Sequence, residues 1–517
     1  MSIALPNEVF NFGYAPLGFL ALVPLYAAIL DAPGHRSAAL LVGAFGALQH
    51  ALSSYWLWFF KDFRFWTLGS TTIAYGIIYA VLGLYLSFFL KKAGRARPFA
   101  FALLWAVFEY QKSTGFLGYP WGLLPYSLTN CLPLLQVADI TGVYGISWML
   151  ALCNAAVAEL VIAAPAFGRR LRLSYIAAAL AFVAAAGVYG FVRMSRPVPE
   201  KGRFEAVLVQ QNADPWVAGE EASLAANISL ARKALADGKG KPDLILFSET
   251  TLQRPYVDFR GFYAQRPRGD PLIPFIAETG TWLFTGAPEV LDWDSMAATN
   301  SVILIDPEGR QRASYAKVHP VPFAEAIPFW DVPAFKKFIQ ETVGLESGWV
   351  MGTEYKVFEL PTRMGTLRFG APICFEDAFS DVCREYFRNG ADLLVNLTND
   401  AWSKTHSAEI QHWAVARFRA IEFRRTLLRS TNAGLSCVMG PYGQFLERLP
   451  LFEATARRVE VPVYREDRPT AYALFGDWFA RAAMLLSAAW SLILMVRGLP
   501  KGGRPHEHLR IPRVRGA

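Results

Sequence analysis

LRFGAPICFED, residues 367 to 377, is a short, largely apolar run that ends on a cysteine and two carboxylates. It reads as a buried strand whose C-terminal end carries chemistry. Outward from it, FEAVLVQ (204 to 210), LILFSE (244 to 249), WLFTGA (282 to 287), SVILID (301 to 306) and DLLVNL (392 to 397) have the same strand character. Between and after these runs, ASLAANISLARKALADG, ending on Gly238, and the stretch 408–425 place apolar residues at helical spacing and read as amphipathic helices. Strands and helices that largely alternate specify an α/β domain, with bounds at 202–465. PEG (307 to 309) and GPYGQ (440 to 444) suit hairpin turns, so mixed rather than purely parallel pairing is expected.

The rest of the chain is different in kind. Of 517 residues, 53% are hydrophobic and only 18% charged, with a mean hydropathy of +0.24, which excludes a purely soluble enzyme. The runs 9–30, 38–60, 65–90 and 173–192 carry no charge and have about the 20 residues that cross hydrocarbon. Runs 143–162, with Glu159 near one end, and 476–496, with Asp477 and Arg481 at its outer end, read as further spans, as does 98–114 despite Glu109. Glu109 at membrane depth can pair with Lys112 on the same helix face or contact substrate, and both readings stay open.

Cations orient these spans, because Lys and Arg of short loops concentrate on the cytoplasmic side. The clusters are Lys91, Lys92, Arg95 and Arg97, then Arg169, Arg170 and Arg172, then Arg497, Lys501, Arg504, Arg510, Arg513 and Arg515. Placing all three in the cytoplasm gives a bundle of about six spans at 1–195, a last span at 474–497 and a basic cytoplasmic tail at 498–517. Residues 193–472 then lie on the opposite face, with the N-terminus outside and seven or eight spans both open. No cationic n-region precedes the first run, so no cleavable signal is expected. The net charge of +8 reflects topology and anionic membrane lipid rather than nucleic acid.

Three strand ends carry reactive side chains: Glu249 ends LILFSE, Lys317 follows the SVILID hairpin, and Cys374 lies in GAPICFED. A thiol is mostly protonated near neutral pH, so a nucleophilic cysteine needs a base in reach or a nearby cation. A carboxylate can take the proton, and an ammonium can stabilise the oxyanion formed on a carbonyl. Taken singly, each residue also has an ordinary reading: a buried strand cysteine, a strand-end carboxylate, a solvated hairpin lysine. The five cysteines form no CxxC pair, and His319, His406 and His412 match no zinc spacing and read as loop or packing residues.

FSET (247 to 250), YAKVHPVPFAEAIP (315 to 328), GAPICFED (370 to 377), LTNDAW (397 to 402) and HWAVARFRAIEFRRTLLRSTNAG (412 to 434) resemble the nitrilase-type domain of apolipoprotein N-acyltransferases. FEYQKSTGFLGYPWG (108 to 122) and LLQVADITGVYGISWMLALCN (134 to 154) are similar to that family's membrane segments, which soluble nitrilases lack. The resemblance implies an αββα nitrilase-like sandwich beside a polytopic α-helical membrane domain. It implies Glu249 as general base, Lys317 as oxyanion stabiliser and Cys374 as nucleophile, with Glu325 and Glu376 as supporting carboxylates. Either of those two could instead be a structural partner of Arg424 or Arg425. Phe375 follows the cysteine where many members have tyrosine.

In this family the thiolate takes an acyl chain from a phospholipid, usually phosphatidylethanolamine, giving a thioester and a lysophospholipid. The α-amine of a diacylglyceryl-cysteine apolipoprotein then attacks, with no metal or cofactor. The implied location is the bacterial inner membrane, with the catalytic domain on the periplasmic side. The aromatic segments 328–330 and 338–349 are expected to form an apolar, mobile mouth. A membrane-anchored amidase using the same three residues, and an inactive membrane scaffold, are the alternatives.

Overall fold

The computed structural model describes every residue except 61–63, 163–166, 239, 267–268, 331, 345–347 and 499–517, so most of the basic tail lies outside the described residues. The strands are β1 (Glu200–Gln210), β2 (Leu244–Leu246), β3 (Trp282–Asp292), β4 (Ala297–Ile305), β5 (Gln311–Ala316) and β6 (Val357–Thr362). They continue with β7 (Gly365–Gly370), β8 (Leu393–Thr398), β9 (Leu427–Thr431), β10 (Cys437–Met439), β11 (Phe445–Arg448) and β12 (Thr455–Tyr464). They form two six-stranded sheets, ordered β12-β1-β2-β3-β4-β5 and β11-β10-β9-β8-β7-β6. Each sheet has a parallel trio, β1-β2-β3 or β7-β8-β9, flanked by antiparallel strands. PEG and GPYGQ turn the β4–β5 and β10–β11 hairpins, as their residues suggest.

Side-chain alternation along β1 sets the layers. Phe204, Ala206 and Leu208 are buried in one cluster with Leu367, Phe369 and Leu393 of the other sheet, while Val207 and Val209 pack with Leu224, Ile228 and Ala231 of the helix Glu220–Ala236. Phe284 of β3 meets Phe358 and Phe369 edge-on, with ring centroids 5.0 and 5.1 Å away. Helices Ser380–Arg388 and His406–Phe423 cover the second sheet, completing an αββα sandwich.

Two strand ends are shorter than their apolar runs. LRFGAPICFED pairs only as far as Gly370, because Pro372 has no N–H for the ladder; Ile373 keeps an isolated bridge to Leu397, and Cys374–Ala378 is a 3₁₀ turn. LILFSE pairs only over Leu244–Leu246, leaving Glu249 on the loop beyond.

Among the described residues, four helices are long and apolar enough to cross a bilayer: Phe65–Lys92, Val143–Val161, Arg169–Met194 and Trp478–Met495. The run 9–30 is not one crossing helix. It is broken into Ala15–Gly18 and Val23–Asp31, each opened by a proline in its first turn, where the missing N–H does no harm but a longer upstream helix cannot form. His35–Ser53 packs along Phe65–Lys92 so closely at Gly46 that a Cβ there would run into the Tyr79 ring. Helix Arg97–Lys112 covers the 98–114 run and rises about 24 Å at 1.5 Å per residue.

The helical region and the sandwich meet along His406–Phe423. From Ser407 to Phe423 every residue of this helix is buried, so the polar side expected to face water does not. Gln411 donates to the carbonyls of Pro6 (2.9 Å) and Ser53 (3.0 Å), Arg417 donates to that of Thr129, and just past the helix Arg424 bonds Asp139 (2.6 Å) and Gln136. Gln411 and Arg417 thus find partners on the helical region, whereas Arg419 bonds the Ala378 carbonyl and Glu422, and His412 bonds Asp377 and Asp400, within the sandwich.

Candidate active site

Loops after β2, β5 and β7 bring Glu249, Lys317 and Cys374 together. Lys317 Nζ lies 2.8 Å from Glu325 and 3.9 Å from Glu249 Oε1. The thiol of Cys374 lies within the electrostatic reach of Glu249, Lys317, Asp400 and Glu325. Glu249 and Lys317 are buried, at 4% and 1% exposure, whereas Cys374 keeps partial access from outside.

Local backbone geometry makes the arrangement. Cys374 has φ +51° and Thr250 φ +57°, left-handed conformations that non-glycine residues adopt only when their surroundings hold them. Glu376 holds the cysteine's turn: its carboxylate accepts from the N–H groups of Ile373 (2.7 Å), Val318 (2.7 Å) and His319 (2.9 Å) and from the Tyr315 hydroxyl (2.9 Å). It thereby ties the cysteine turn to the lysine loop. Gly286 of β3 passes so close behind Glu249 that a Cβ would fall 2.5 Å from Thr250 N and 2.8 Å from Glu249 Cα.

For Glu249, Lys317, Cys374 and Glu376 burial is the leading influence, and neighbours then correct it. It raises the Glu249 carboxyl above its ordinary range although Lys317 opposes, and Glu325 adds to the rise. Burial works against the Lys317 ammonium, but Glu325 and Glu249 together hold its pKa above the usual lysine value. The Cys374 thiol is raised well above its ordinary value by burial and by the Glu249 charge, with Lys317 opposing. Burial takes Glu376 up to about 7 against its hydrogen bonds from backbone N–H groups. The Cys374 sulfur therefore rests as a thiol, and its proton must leave as it attacks.

Glu325 and Glu376 thus sit at the lysine and at the cysteine turn, and neither pairs with Arg424, which goes to Asp139. Three asparagines that sequence reasoning passed over complete the site. Asn300 Nδ2 donates to both Glu249 Oε1 (2.9 Å) and Glu325 Oε1 (3.0 Å). The Asn399 N–H donates to Glu249 Oε2 (2.9 Å), and Asn396 Nδ2 donates to the Cys374 carbonyl (3.1 Å). For Asn300 and Asn396 the available signal was a buried asparagine inside a strand, a residue strands disfavour unless it has partners; Asn399, just past β8, acts through its backbone N–H.

Among the histidines, His319 packs on Phe379, with centroids 3.8 Å apart, and His406 lies 3.4 Å from Glu8. His412 instead sits inside a charged cluster behind the nucleophile. Glu109 does not use Lys112 as its partner: its carboxylate accepts from Trp105, Leu124 N and Ser147, while Lys112 donates to the Trp121 carbonyl (2.6 Å). That bond helps fix Trp121, which stacks on Phe375 at 5.3 Å and 9° and so joins the helical region to the residue after the cysteine. A cavity of about 420 Å³ lies beside this junction, lined by Phe59, Arg64, Asp214, Val217, Trp402 and Lys404. Phe329 and Phe338, in the aromatic stretch beyond Glu325, are exposed; residues 345–347 of its second half lie outside the described residues. No group of three or more His, Cys, Asp and Glu side chains among the described residues is arranged to hold a metal ion.

Residues 1–156 match the apolipoprotein N-acyltransferase N-terminal domain, and residues 207–467 match the carbon-nitrogen hydrolase family. The chain is 43% identical to apolipoprotein N-acyltransferase 2 of Treponema denticola over 488 residues, covering 92% of each chain. It is 38% identical to apolipoprotein N-acyltransferase 2 of Treponema pallidum, covering 92% of this chain and 90% of that one. Identity to the apolipoprotein N-acyltransferase of Borreliella burgdorferi is 30%, over 87% and 86% of the two chains. A helical region of apolar helices, an αββα sandwich with a cysteine, a lysine and carboxylates at its strand ends, and relatives matched nearly end to end place this chain in the apolipoprotein N-acyltransferase family.

Proposed function

We propose that this protein transfers a fatty acyl chain from a phospholipid, most simply phosphatidylethanolamine, to the α-amine of a diacylglyceryl-cysteine apolipoprotein by way of a thioester on Cys374. The observation that carries the reading is the thiol of Cys374, a partly exposed residue, set among Glu249, Lys317 and Glu325. Glu249 takes the thiol proton as sulfur attacks the ester carbonyl. Negative charge then grows on the carbonyl oxygen, and the Lys317 ammonium, held charged by Glu325, stabilises it. Collapse breaks the ester C–O bond, and the leaving lysophospholipid oxygen takes the proton from Glu249. The apolipoprotein amine next attacks the thioester carbonyl, gives a proton to Glu249, and expels the Cys374 thiolate, which recovers that proton.

Glu325 and Glu376 support without entering the proton transfers, one setting the lysine and the other the cysteine turn. The exposed Phe329 and Phe338 suit an apolar mouth that keeps water from the thioester, and the cavity with Arg64 and Lys404 offers cations to a lipid phosphate. In this reading 1–195 and 474–497 are membrane regions, 202–465 is the catalytic domain and 498–517 a cytoplasmic tail. The membrane is the inner membrane, with the active site on the periplasmic side. A reporter fused after Arg515 should then lie in the cytoplasm and one inserted near Gly269 outside it.

Intact mass spectrometry tests the chemistry. Wild-type protein given phosphatidylethanolamine without acceptor should gain one acyl mass, which a diacylglyceryl-cysteine peptide discharges; Cys374→Ala should gain none. Turnover of small amides with no acyl adduct would point to an amidase instead, and neither result to an inactive scaffold.

A further inference from the structure

Behind the nucleophile turn lies a buried charge cluster that the acyl-transfer steps do not use. Asp377 comes from the turn Cys374–Ala378, Asp400 from the loop after β8, Glu409 and His412 from the helix His406–Phe423, and Arg429 from β9. All five are buried, Asp400 being the most exposed at 8%. His412 Nδ1 lies 3.0 Å from Asp400 Oδ1, and its Nε2 lies 3.1 Å from Asp377 Oδ1. A neutral imidazole carries one N–H and can donate to only one of them; two carboxylate acceptors require both ring nitrogens protonated.

Of the other charges facing His412, the Arg429 guanidinium works against an imidazolium while the carboxylates work for it. Arg429 donates to Asp377 Oδ2, and its second terminal nitrogen lies 3.8 Å from Asp400 Oδ2, so two cations meet two carboxylates. Glu409, on the same helix, faces Asp400 over Gly434, where a Cβ would run into both carboxyls. Burial and the Asp400 charge raise the Glu409 carboxyl well above its ordinary range, with Arg429 and then Lys404 opposing. From the helical region only the Trp121 ring, 5.5 Å away, meets the imidazole among the described aromatic contacts.

The two carboxylates belong to the two halves of the catalytic centre. Asp377 shares a turn with Cys374, whereas Asp400 follows Asn399, whose N–H holds Glu249 (2.9 Å). We propose that His412, bridging Asp377 and Asp400 as an imidazolium, is a positioning residue that sets the distance between the Cys374 nucleophile and Glu249, and that loss of its second proton at alkaline pH uncouples them. This rests on the assignment of Cys374 and Glu249 above. Burial pulls the His412 pKa down, but Asp400 and Asp377 outweigh it and carry it to about 9.

The test uses the full-length protein in phosphatidylethanolamine-containing micelles and follows Cys374 acylation by intact mass across pH. Wild type should lose rate as pH passes about 9. His412→Gln and His412→Asn, which carry no charge and cannot place donors at the two separated ring-nitrogen positions, should acylate roughly 10- to 100-fold more slowly near neutral pH and lack that alkaline fall. In wild type labelled with ¹³C at histidine Cε1, one of the seven histidine resonances should titrate near pH 9. Variants that acylate at the wild-type rate or keep the alkaline fall would overturn the proposal. So would the absence of any histidine midpoint above about 8, a result that needs no variant to fold. A wild-type protein that never acylates on Cys374 would sink the catalytic assignment instead, so the two failures are separable.

Discussion

Replacing Asn300 with leucine tests how the base is held. The substitution nearly conserves volume and removes the donor that bonds Glu249 Oε1 at 2.9 Å and Glu325 Oε1 at 3.0 Å. A hydrogen bond to a charged group contributes about 1.5–3 kcal/mol. On the Glu249 side that loss falls on the ionised form alone, so it raises the proton affinity of a carboxyl that burial already holds above its ordinary range. At about 1.4 kcal/mol per tenfold, ionised Glu249 should drop roughly 10- to 100-fold wherever the carboxyl is mainly protonated. The assay is single-turnover acylation of Cys374 by phosphatidylethanolamine, followed by intact mass from mildly acidic to mildly alkaline pH. Asn300→Leu should be about 10- to 100-fold slow at the acid end, with the deficit closing as pH rises and Glu249 ionises in both proteins. Asn300→Asp, which sets a third carboxylate against two, should be slower still. A deficit that is flat across pH, or that widens toward alkaline pH, would show that Asn300 does not act through the Glu249 proton.

Glu325→Gln should move the acid limb the other way: Lys317, left with Glu249 3.9 Å off, turns toward it, favours its ionised form and makes it a weaker base, with acylation falling about 100-fold in the same assay. Gly286→Ala forces the backbone at Glu249 and Thr250 to shift; since a displacement near 1 Å can cost about 100-fold, activity should fall by that order, with the overpacking itself costing about 1–3 kcal/mol and lowering the melting temperature. Arg424→Leu leaves buried Asp139 with only Arg193 and the Tyr189 hydroxyl, and should destabilise by about 3–5 kcal/mol, read as a lower melting temperature in detergent with acylation retained in the cold. His412, whose folded pKa is raised from 6.5 to about 9, contributes stability that is complete below about pH 6.5 and lost as pH rises through 9. Wild type should therefore lose melting temperature over that window relative to His412→Gln.

What was legible in the sequence was what repeats locally. The strands of the parallel trios are apolar on both faces, because Leu208 meets the second sheet and Val207 a helix, and such continuous runs announce themselves. The same feature hid the architecture: a run apolar on both faces does not say whether its neighbours lie in one sheet or two. It also overran the strand ends, since apolar content continues through Ile373 and Phe375 where Pro372 has already ended the ladder. Glu249, Lys317 and Cys374 were joined by resemblance, not by spacing. Asn300 escaped because its two partners lie 51 and 25 positions away, and His412 because its carboxylates lie 12 and 35 away; no window of residues contains either constellation.

The local pairing rule failed where a distant competitor offered more. Three-residue spacing set Glu109 beside Lys112, yet an exposed helix pair is worth only about 0.2–0.5 kcal/mol, and a buried carboxylate needs donors on both oxygens. Trp105, Leu124 N and Ser147 supply them, and Lys112 is released to fix the Trp121 carbonyl. The same competition reverses the reading of His406–Phe423. Its polar residues at helical spacing describe a water-facing side, but Gln411 and Arg417, with Arg424 just beyond, find their partners on the helical region. A helix buried on both sides can afford arginines only if a second surface satisfies them, so that polar side is the seam through which the membrane half bears on the sandwich. His412 lies on this helix, between the turn of Cys374 and the loop that holds Glu249, with Trp121 against its ring. The seam therefore passes directly behind the nucleophile, and a displacement of the helical region against the sandwich would be transmitted to the distance between thiol and base.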